Sequence, residues 1–125
     1  PLGSETILLV EDAGMLRRLA KEVLETSGYR VLEAASGSDA MRIVEENSET
    51  IQLLLTDVVM PEMSGRELAN RIAPVRPEMR VLYMSGYTND AIVHHGVLDE
   101  GINFIQKPFS PDALTLKVRE ALRSA

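Results

Sequence analysis

The sequence contains no cysteine, no long apolar run and no cluster of basic residues. Without cysteine the chain can form neither disulfides nor thiolate metal sites, and it suits the reducing cytoplasm, where we expect it to be located. No run approaches the roughly 20 apolar residues of a membrane-spanning helix, so no membrane contact is expected from this segment. Acidic residues outnumber basic ones, 19 to 13, which gives a formal charge of −6. A nucleic-acid partner is therefore not expected for this segment, because phosphate backbones require a basic face.

The length of 125 residues fits one domain with a single core. Hydrophobic residues make up 45% of the chain and charged residues 26%, which are ordinary shares for a globular protein. The opening tetrapeptide PLGS resembles the remnant left when a protease removes a purification tag. We therefore exclude residues 1–4 from the fold and assign residues 5–125 to the domain.

Short apolar runs alternate with helical patterns five times along the chain. The runs cover residues 7–10, 31–32, 53–55, 81–84 and 104–105. Because they are apolar at consecutive positions, they predict a parallel sheet covered on both faces. A fourth helix is predicted near residues 89–95, and the apolar stripe of the first helix consists of Leu16, Leu19, Ala20, Val23 and Leu24. The pattern predicts an α/β fold, a doubly wound five-stranded parallel sheet in a (βα)5 arrangement.

Helix boundaries are also signalled by residue type. Ser64, followed by Glu67, has the spacing of a capping box, and Ser36 precedes a second helix in a similar way. Ser110 stands before a proline, which is the usual order at a helix start. Gly28 is expected to end the first helix in a left-handed conformation.

Polar residues stand at four of the five predicted strand ends. Glu11 and Asp12 follow the first strand, Asp57 ends the third, Ser85 the fourth, and Lys107 follows the fifth. In a doubly wound sheet, ligands bind outside the carboxyl ends of the strands, near the point where the strand order reverses. The candidate functional residues are therefore expected to meet at one edge of the sheet.

The three acids would repel one another strongly, by about 4 kcal/mol for each close pair at an effective dielectric constant of about 20. A hard divalent cation compensates such a cluster, and Mg²⁺ prefers carboxylate oxygens and water. With Lys107 added, the formal charges cancel. A neutral pocket of this composition can transfer a phosphoryl group to Asp57 while Lys107 and the metal hold the phosphoryl oxygens. Ser85 places a hydroxyl where one of those oxygens would arrive.

This set of residues, from about Thr6 to the C-terminus, resembles the receiver (response-regulator) family of two-component signalling. The family pattern is an acidic pair, a phosphoacceptor aspartate, a Ser or Thr, and a Lys-Pro; here these are Glu11-Asp12, Asp57, Ser85 and Lys107-Pro108. The resemblance implies the flavodoxin-like strand order 2-1-3-4-5. It also implies a metal held directly by Asp12, Asp57 and the Val59 carbonyl, and by Glu11 through water.

The resemblance further implies a switch. Ser85 would move toward the phosphoryl group and Phe104 would turn into the vacated space, changing the face built from the fourth helix, the fifth strand and the fifth helix. The Lys107-Pro108 bond is expected to be cis, which aims the lysine inward. The implied partner is a histidine kinase or a histidine phosphotransfer protein. Ala13 and Gly14 depart from the polar residue that many relatives carry after the acidic pair, a change that can loosen the loop over the metal.

Other readings of the same residues remain. A magnesium-dependent phosphatase of the haloacid dehalogenase kind also forms an aspartyl phosphate, but it needs an acid two residues after the nucleophile, where this chain has Val59. A dinucleotide-binding protein needs a glycine-rich turn in place of the acidic residues 11–12. A pseudo-receiver would serve only as a docking module. Among receivers, stretches such as residues 81–88 and 104–109 favour the terminal receiver of a bacterial hybrid sensor histidine kinase over a stand-alone regulator. The module itself is expected to be a phosphoacceptor and not an enzyme.

Overall fold

The computed structural model describes residues 4–86 and 103–123. Within these ranges the chain forms five strands and four helices. The strands are β1 (Thr6–Val10), β2 (Arg30–Ala34), β3 (Leu53–Asp57), β4 (Arg80–Ser85) and β5 (Asn103–Gln106). The helices are α1 (Gly14–Thr26), α2 (Gly37–Glu46), α3 (Gly65–Ile72) and the C-terminal helix (Pro111–Arg123). The fourth helix predicted from the sequence lies outside the described residues.

The five strands form one sheet in the order β2-β1-β3-β4-β5. Every neighbouring pair is parallel, so the sequence-based prediction of a flavodoxin-like parallel sheet is confirmed. The strand order reverses next to β1, whose neighbours are β2 and β3. Among the helices of the two described ranges, none combines the length and apolar character needed to cross a bilayer.

Apolar side chains fill both sides of the sheet, because successive residues of a strand point to opposite faces. In β3, Leu54 packs in the cluster on the side of α2 and α3, whereas Leu53 and Leu55 pack in the cluster on the side of α1 and the C-terminal helix. All five residues of β1 and of β3 are buried. Fully covering one Leu or Ile side chain stabilises the fold by about 1.5–3 kcal/mol, so the apolar strand centres anchor the polar strand ends.

The helix ends follow the capping signals of the sequence. Ser36 and Ser64 each accept a hydrogen bond at 3.1 Å from the backbone N–H three residues later. Ser110 accepts the equivalent bond from Ala113, also at 3.1 Å. Gly28 has a φ of 97° after α1, the left-handed conformation predicted for it.

The predicted apolar stripe of α1 is only partly buried. Ala20 and Leu24 are buried, but Leu19 is 54% exposed. Leu19 lines a groove together with Phe109 and Leu114. The helical spacing therefore predicted that Leu19 shares a face with Ala20 and Leu24, but it did not predict that Leu19 would remain exposed.

Candidate functional site

The candidate residues meet at the carboxyl ends of the central strands. A cavity of about 230 Å³ opens there, with walls formed by residues from the ends of β1, β3, β4 and β5. Its lining includes all six residues that the sequence suggested for the pocket: Glu11, Asp12, Asp57, Val59, Ser85 and Lys107. Ala13, noted from the sequence as part of the loop over the metal, also lines the cavity, and Met84 and Gly86, which sequence reasoning did not place there, complete the wall. The strand order brings these residues together, since β1 and β4 both flank β3.

The three acids form a compact donor set. One carboxylate oxygen from each of Glu11, Asp12 and Asp57 lies within 4.8 Å of the others. Glu11 and Asp57 are almost completely buried, with exposed fractions of 1% and 4%, whereas Asp12 is exposed. A set of carboxylate oxygens that is buried on one side and open to water on the other fits Mg²⁺, which keeps several of its waters.

Lys107 joins the two buried acids. Its ammonium donates to Glu11 Oε1 at 2.6 Å and forms an ion pair with Asp57 Oδ1. The Lys107-Pro108 peptide bond is cis, the geometry that the resemblance implied. The Lys107 backbone N–H donates to the Ser85 carbonyl at 2.8 Å, which ties the end of β4 to the residue that carries the ammonium. Ser85 itself is 2% exposed.

The pKa values of the two buried acids, Asp57 and Glu11, shift in opposite directions. Burial, followed by the hydrogen bond and the negative charge of Glu11, raises the pKa of Asp57 from an ordinary 3.8 to about 8, and Lys107 offsets only part of this. For Glu11, burial also acts upward, but the hydrogen bonds from Asp57 and Lys107 outweigh it and lower its pKa. Glu11 is therefore the ionised partner of Lys107, while Asp57 holds a proton near neutral pH unless another cation approaches.

This arrangement predicts that the free energy of unfolding falls as pH rises from about 4 to about 8. In that window the folded protein keeps a proton on Asp57 that the unfolded chain has released, because the folded pKa is about 8 and the ordinary value is 3.8. The slope is at most about 1.4 kcal/mol per pH unit for one group. Glu11 acts in the opposite sense only below its ordinary pKa of 4.5. Urea unfolding at a series of pH values in chelator should show the decline; a flat or rising profile would contradict it.

The loop between β1 and α1 is held by bonds that the sequence did not suggest. Glu11 Oε2 accepts from the Ala13 N–H at 3.0 Å. Ala13 occupies the N-cap position of α1 and makes no side-chain capping bond. Instead the Arg17 guanidinium donates to the Glu11 carbonyl at 2.7 Å and to Glu33 at 3.1 Å. The position of Arg17 in the first turns of α1 could have indicated this contact, because long side chains on a helix point toward its N-terminus.

Gly65 lets α3 begin against the end of β3. Its N–H donates to the Val58 carbonyl at 2.8 Å. A Cβ at this position would lie only 2.0 Å from the carbonyl oxygen of Asp57 and 3.1 Å from the Thr56 methyl group. The backbone of the candidate acceptor is therefore in contact with the first residue of α3, and only glycine fits there.

Phe104 lies in β5, away from the wall of the cavity. It is half-buried and packs against the cluster on the α2 and α3 side of the sheet. The register aligns Phe104 with Tyr83 in β4 and Tyr83 with Thr56 in β3. Phe104 and Ser85 thus face the same side of the sheet, whereas Asp57 faces the other.

Comparison with known proteins shows the family of the chain. The family profile of the response regulator receiver domain matches residues 7–119. The chain is 39% identical over 120 residues to the sensor kinase CckA of Brucella abortus, covering 96% of this chain but 13% of that kinase. It is 34% identical over 119 residues to the response regulator receiver protein CpdR of Brucella abortus, covering 95% of this chain and 98% of that protein.

Among solved structures, the receiver domain from the hybrid histidine kinase CckA superposes with a TM-score of 0.79 at 36% identity, covering 94% of this chain and 99% of that one. The match therefore includes the whole of a known receiver domain and most of the present chain. The family profile spans the strands and the helices that build the cavity. The chain belongs to the response regulator receiver domain family of two-component signalling.

Proposed function

We propose that this domain accepts a phosphoryl group on Asp57 from a phosphohistidine of a histidine kinase or a histidine phosphotransfer protein. The observation that carries the proposal is the geometry of Lys107, which contacts both Glu11 and Asp57 beside the exposed carboxylate of Asp12. An acceptor carboxylate, a fixed ammonium and an acidic cation site occupy one cavity. The receiver domain is proposed to cover residues 5–125.

The residues suit an in-line displacement at phosphorus. An Asp57 carboxylate oxygen forms the new P–O bond as the P–N bond of the phosphohistidine breaks, and the imidazole leaves with the electron pair. Lys107 donates a hydrogen bond to one non-bridging phosphoryl oxygen, and the Ser85 hydroxyl donates to another. Before this step Asp57 must lose the proton that its pKa of about 8 retains.

The cation site is proposed to hold Mg²⁺ through Asp12, Asp57 and the Val59 carbonyl, with Glu11 acting through water. When bound, the ion would favour the ionised form of Asp57 and neutralise the charge on the incoming phosphoryl oxygens. The carboxylate set within 4.8 Å supports this assignment. Val59 lines the same cavity.

The response to phosphorylation is proposed to run through Ser85 and Phe104. Both residues face the same side of the sheet, and the Ser85 main chain is tied to Lys107. Movement of Ser85 toward the phosphoryl group would open space for Phe104 to turn inward. The output face would combine β5, the C-terminal helix and the fourth predicted helix, which lies outside the described residues.

We further propose that the domain works as the receiver of a hybrid histidine kinase. The 39% identity to the CckA sensor kinase supports this context, although a stand-alone regulator is the alternative that the 34% identity to CpdR supports. The chain spans 13% of the former and 98% of the latter. In both contexts the donor is a phosphohistidine.

Incubation with acetyl phosphate tests the proposed chemistry. We expect intact-protein mass spectrometry to show the gain of one phosphoryl group in Mg²⁺ buffer and none in excess chelator, because Asp57 and the phosphoryl oxygens need the cation. Uptake that is equally fast in chelator would contradict the proposed metal site. Steady turnover of a simple phosphate ester would instead support a phosphatase.

A further inference from the structure

Arg17 connects three separate parts of the chain next to the acid cluster. Its guanidinium donates through one terminal nitrogen to the Glu11 carbonyl at 2.7 Å and through Nε to Glu33 Oε1 in β2 at 3.1 Å. Lys21, one helical turn further along α1, contacts the other oxygen of Glu33 at 2.9 Å. Arg17 therefore ties α1 to β2 and to the residue at which the loop leaves β1.

The loop that Arg17 holds carries two of the three acids. Residues 11–13 lie between β1 and α1, and Ala13, at the N-cap of α1, makes no side-chain capping bond. The loop backbone has three other bonds here: from Glu11 N–H to the Ala34 carbonyl at 3.1 Å, from Arg17 N–H to the Ala13 carbonyl at 2.9 Å, and from Ala13 N–H to Glu11 Oε2 at 3.0 Å. None of them involves Asp12, which is exposed. Any side chain that fixes the Glu11 carbonyl therefore also limits where Asp12 can lie.

We propose that Arg17 is a positioning residue, which holds the loop of residues 11–13 so that Glu11 and Asp12 stay in place for a divalent cation. The inference rests on the proposed function for the cation site itself. Arginine suits this role because its planar fork can donate in two fixed directions at once. Glu33 is shared between Arg17 and Lys21, so it offsets part of the repulsion between the guanidinium and a cation at the site.

The direction in which Arg17→Ala changes the Mg²⁺ affinity distinguishes a positioning role from simple electrostatics. Arg17→Ala removes a positive charge near the acids, so electrostatics alone predicts tighter Mg²⁺ binding. Loss of the hydrogen bonds to the Glu11 carbonyl and Glu33 predicts weaker binding, because the free loop must be ordered when the ion binds. We expect a weakening of about 10-fold, the lower end of the range for removing an outer residue that supports metal ligands.

Amide NMR titration with Mg²⁺ measures this affinity for the intact chain, which has no tryptophan to report it by fluorescence. Lys21→Ala is the matched control, because it removes one charge from the same cluster without touching the Glu11 carbonyl. Its Mg²⁺ affinity is expected to equal that of the wild type or to exceed it slightly. At saturating Mg²⁺, the phosphorylation rate of Arg17→Ala should return close to the wild-type rate.

Two further measurements keep the inference testable. Arg17→Lys keeps the charge but loses the fork, so an affinity between those of the wild type and Arg17→Ala is expected, and this variant replaces Arg17→Ala if the latter does not fold. Hydrogen exchange of the Ala13 amide without Mg²⁺ should be faster in either variant. This measurement reports how firmly the loop of residues 11–13 is held, whether or not the cavity binds Mg²⁺. Unchanged or tighter Mg²⁺ binding together with unchanged exchange would overturn the role of Arg17, whereas a wild type without Mg²⁺ binding would overturn only the proposed function.

Discussion

Asp57→Asn is expected to abolish phosphoryl uptake from acetyl phosphate while leaving the fold intact. An amide oxygen is a poor nucleophile and cannot form a stable acyl phosphate, so the variant should gain no phosphoryl mass under conditions that modify the wild type fully. The substitution is nearly isosteric, and Lys107 can still contact the amide oxygen. Without divalent cations at about pH 8, the variant should also be more stable by about 1–3 kcal/mol, because the carboxyl group whose pKa burial raises is gone, while Lys107 keeps Glu11 as its ionised partner.

Asp112→Asn is the matched control for this experiment, since Asp112 is exposed in the first turn of the C-terminal helix. It should take up the phosphoryl group as the wild type does. Uptake by Asp57→Asn equal to that of the wild type would place the acceptor elsewhere. Loss of pH dependence in the unfolding of Asp57→Asn between about pH 4 and about pH 8 would confirm the raised pKa of Asp57.

Gly65→Ala is expected to destabilise the protein by about 3 kcal/mol or more, because the new methyl group overlaps the main chain and a relaxed backbone must absorb the overlap. The clash is with the carbonyl oxygen of Asp57, at 2.0 Å, and a carbonyl cannot rotate away as a flexible side chain can. The shift would also move the main chain of the acceptor. We therefore expect slower phosphorylation in the fraction that folds.

Gly14→Ala provides the comparison for that variant. A Cβ at Gly14 would meet only the far end of the Arg17 side chain, at 3.9 Å, and Gly14 is the first residue of α1. Alanine is a better helix residue than glycine, so stability should stay the same or rise by up to about 1 kcal/mol. Thermal unfolding of both variants checks the pair. Equal stability of Gly65→Ala and the wild type would contradict the close approach at the end of β3.

Much of the fold could be predicted because apolar patterning and strand-end chemistry are local in the sequence. The runs in β1 and β3 are apolar at consecutive positions, which indicated burial on both faces. Glu11, Asp57 and Lys107 each come at a strand end, and topology alone brings such ends to one edge. The serine caps were readable because their bonds span only three residues.

The parts that could not be predicted depend on contacts between distant segments. Arg17 and Glu33 are joined only because α1 packs beside β2, and nothing in their separation along the chain indicates this. Leu19 shares its spacing with buried neighbours, yet it is 54% exposed and lines a groove between α1 and the C-terminal helix. The raised pKa of Asp57 could not be predicted either, because it depends on how deeply the carboxyl group is buried and on where Glu11 lies.

The alternation of side chains along the strands separates Asp57 from Phe104. Leu55 and Asp57 point to the layer that contains α1 and the C-terminal helix, while Tyr83 and Phe104 pack with the opposite layer. In the proposed switch, the effect of phosphorylation at Asp57 would therefore not pass through a single layer of packed side chains; it would pass around the edge of the sheet, where Ser85 lies. Repacking deep in either layer should consequently alter the robustness of the domain more than its ability to relay the signal.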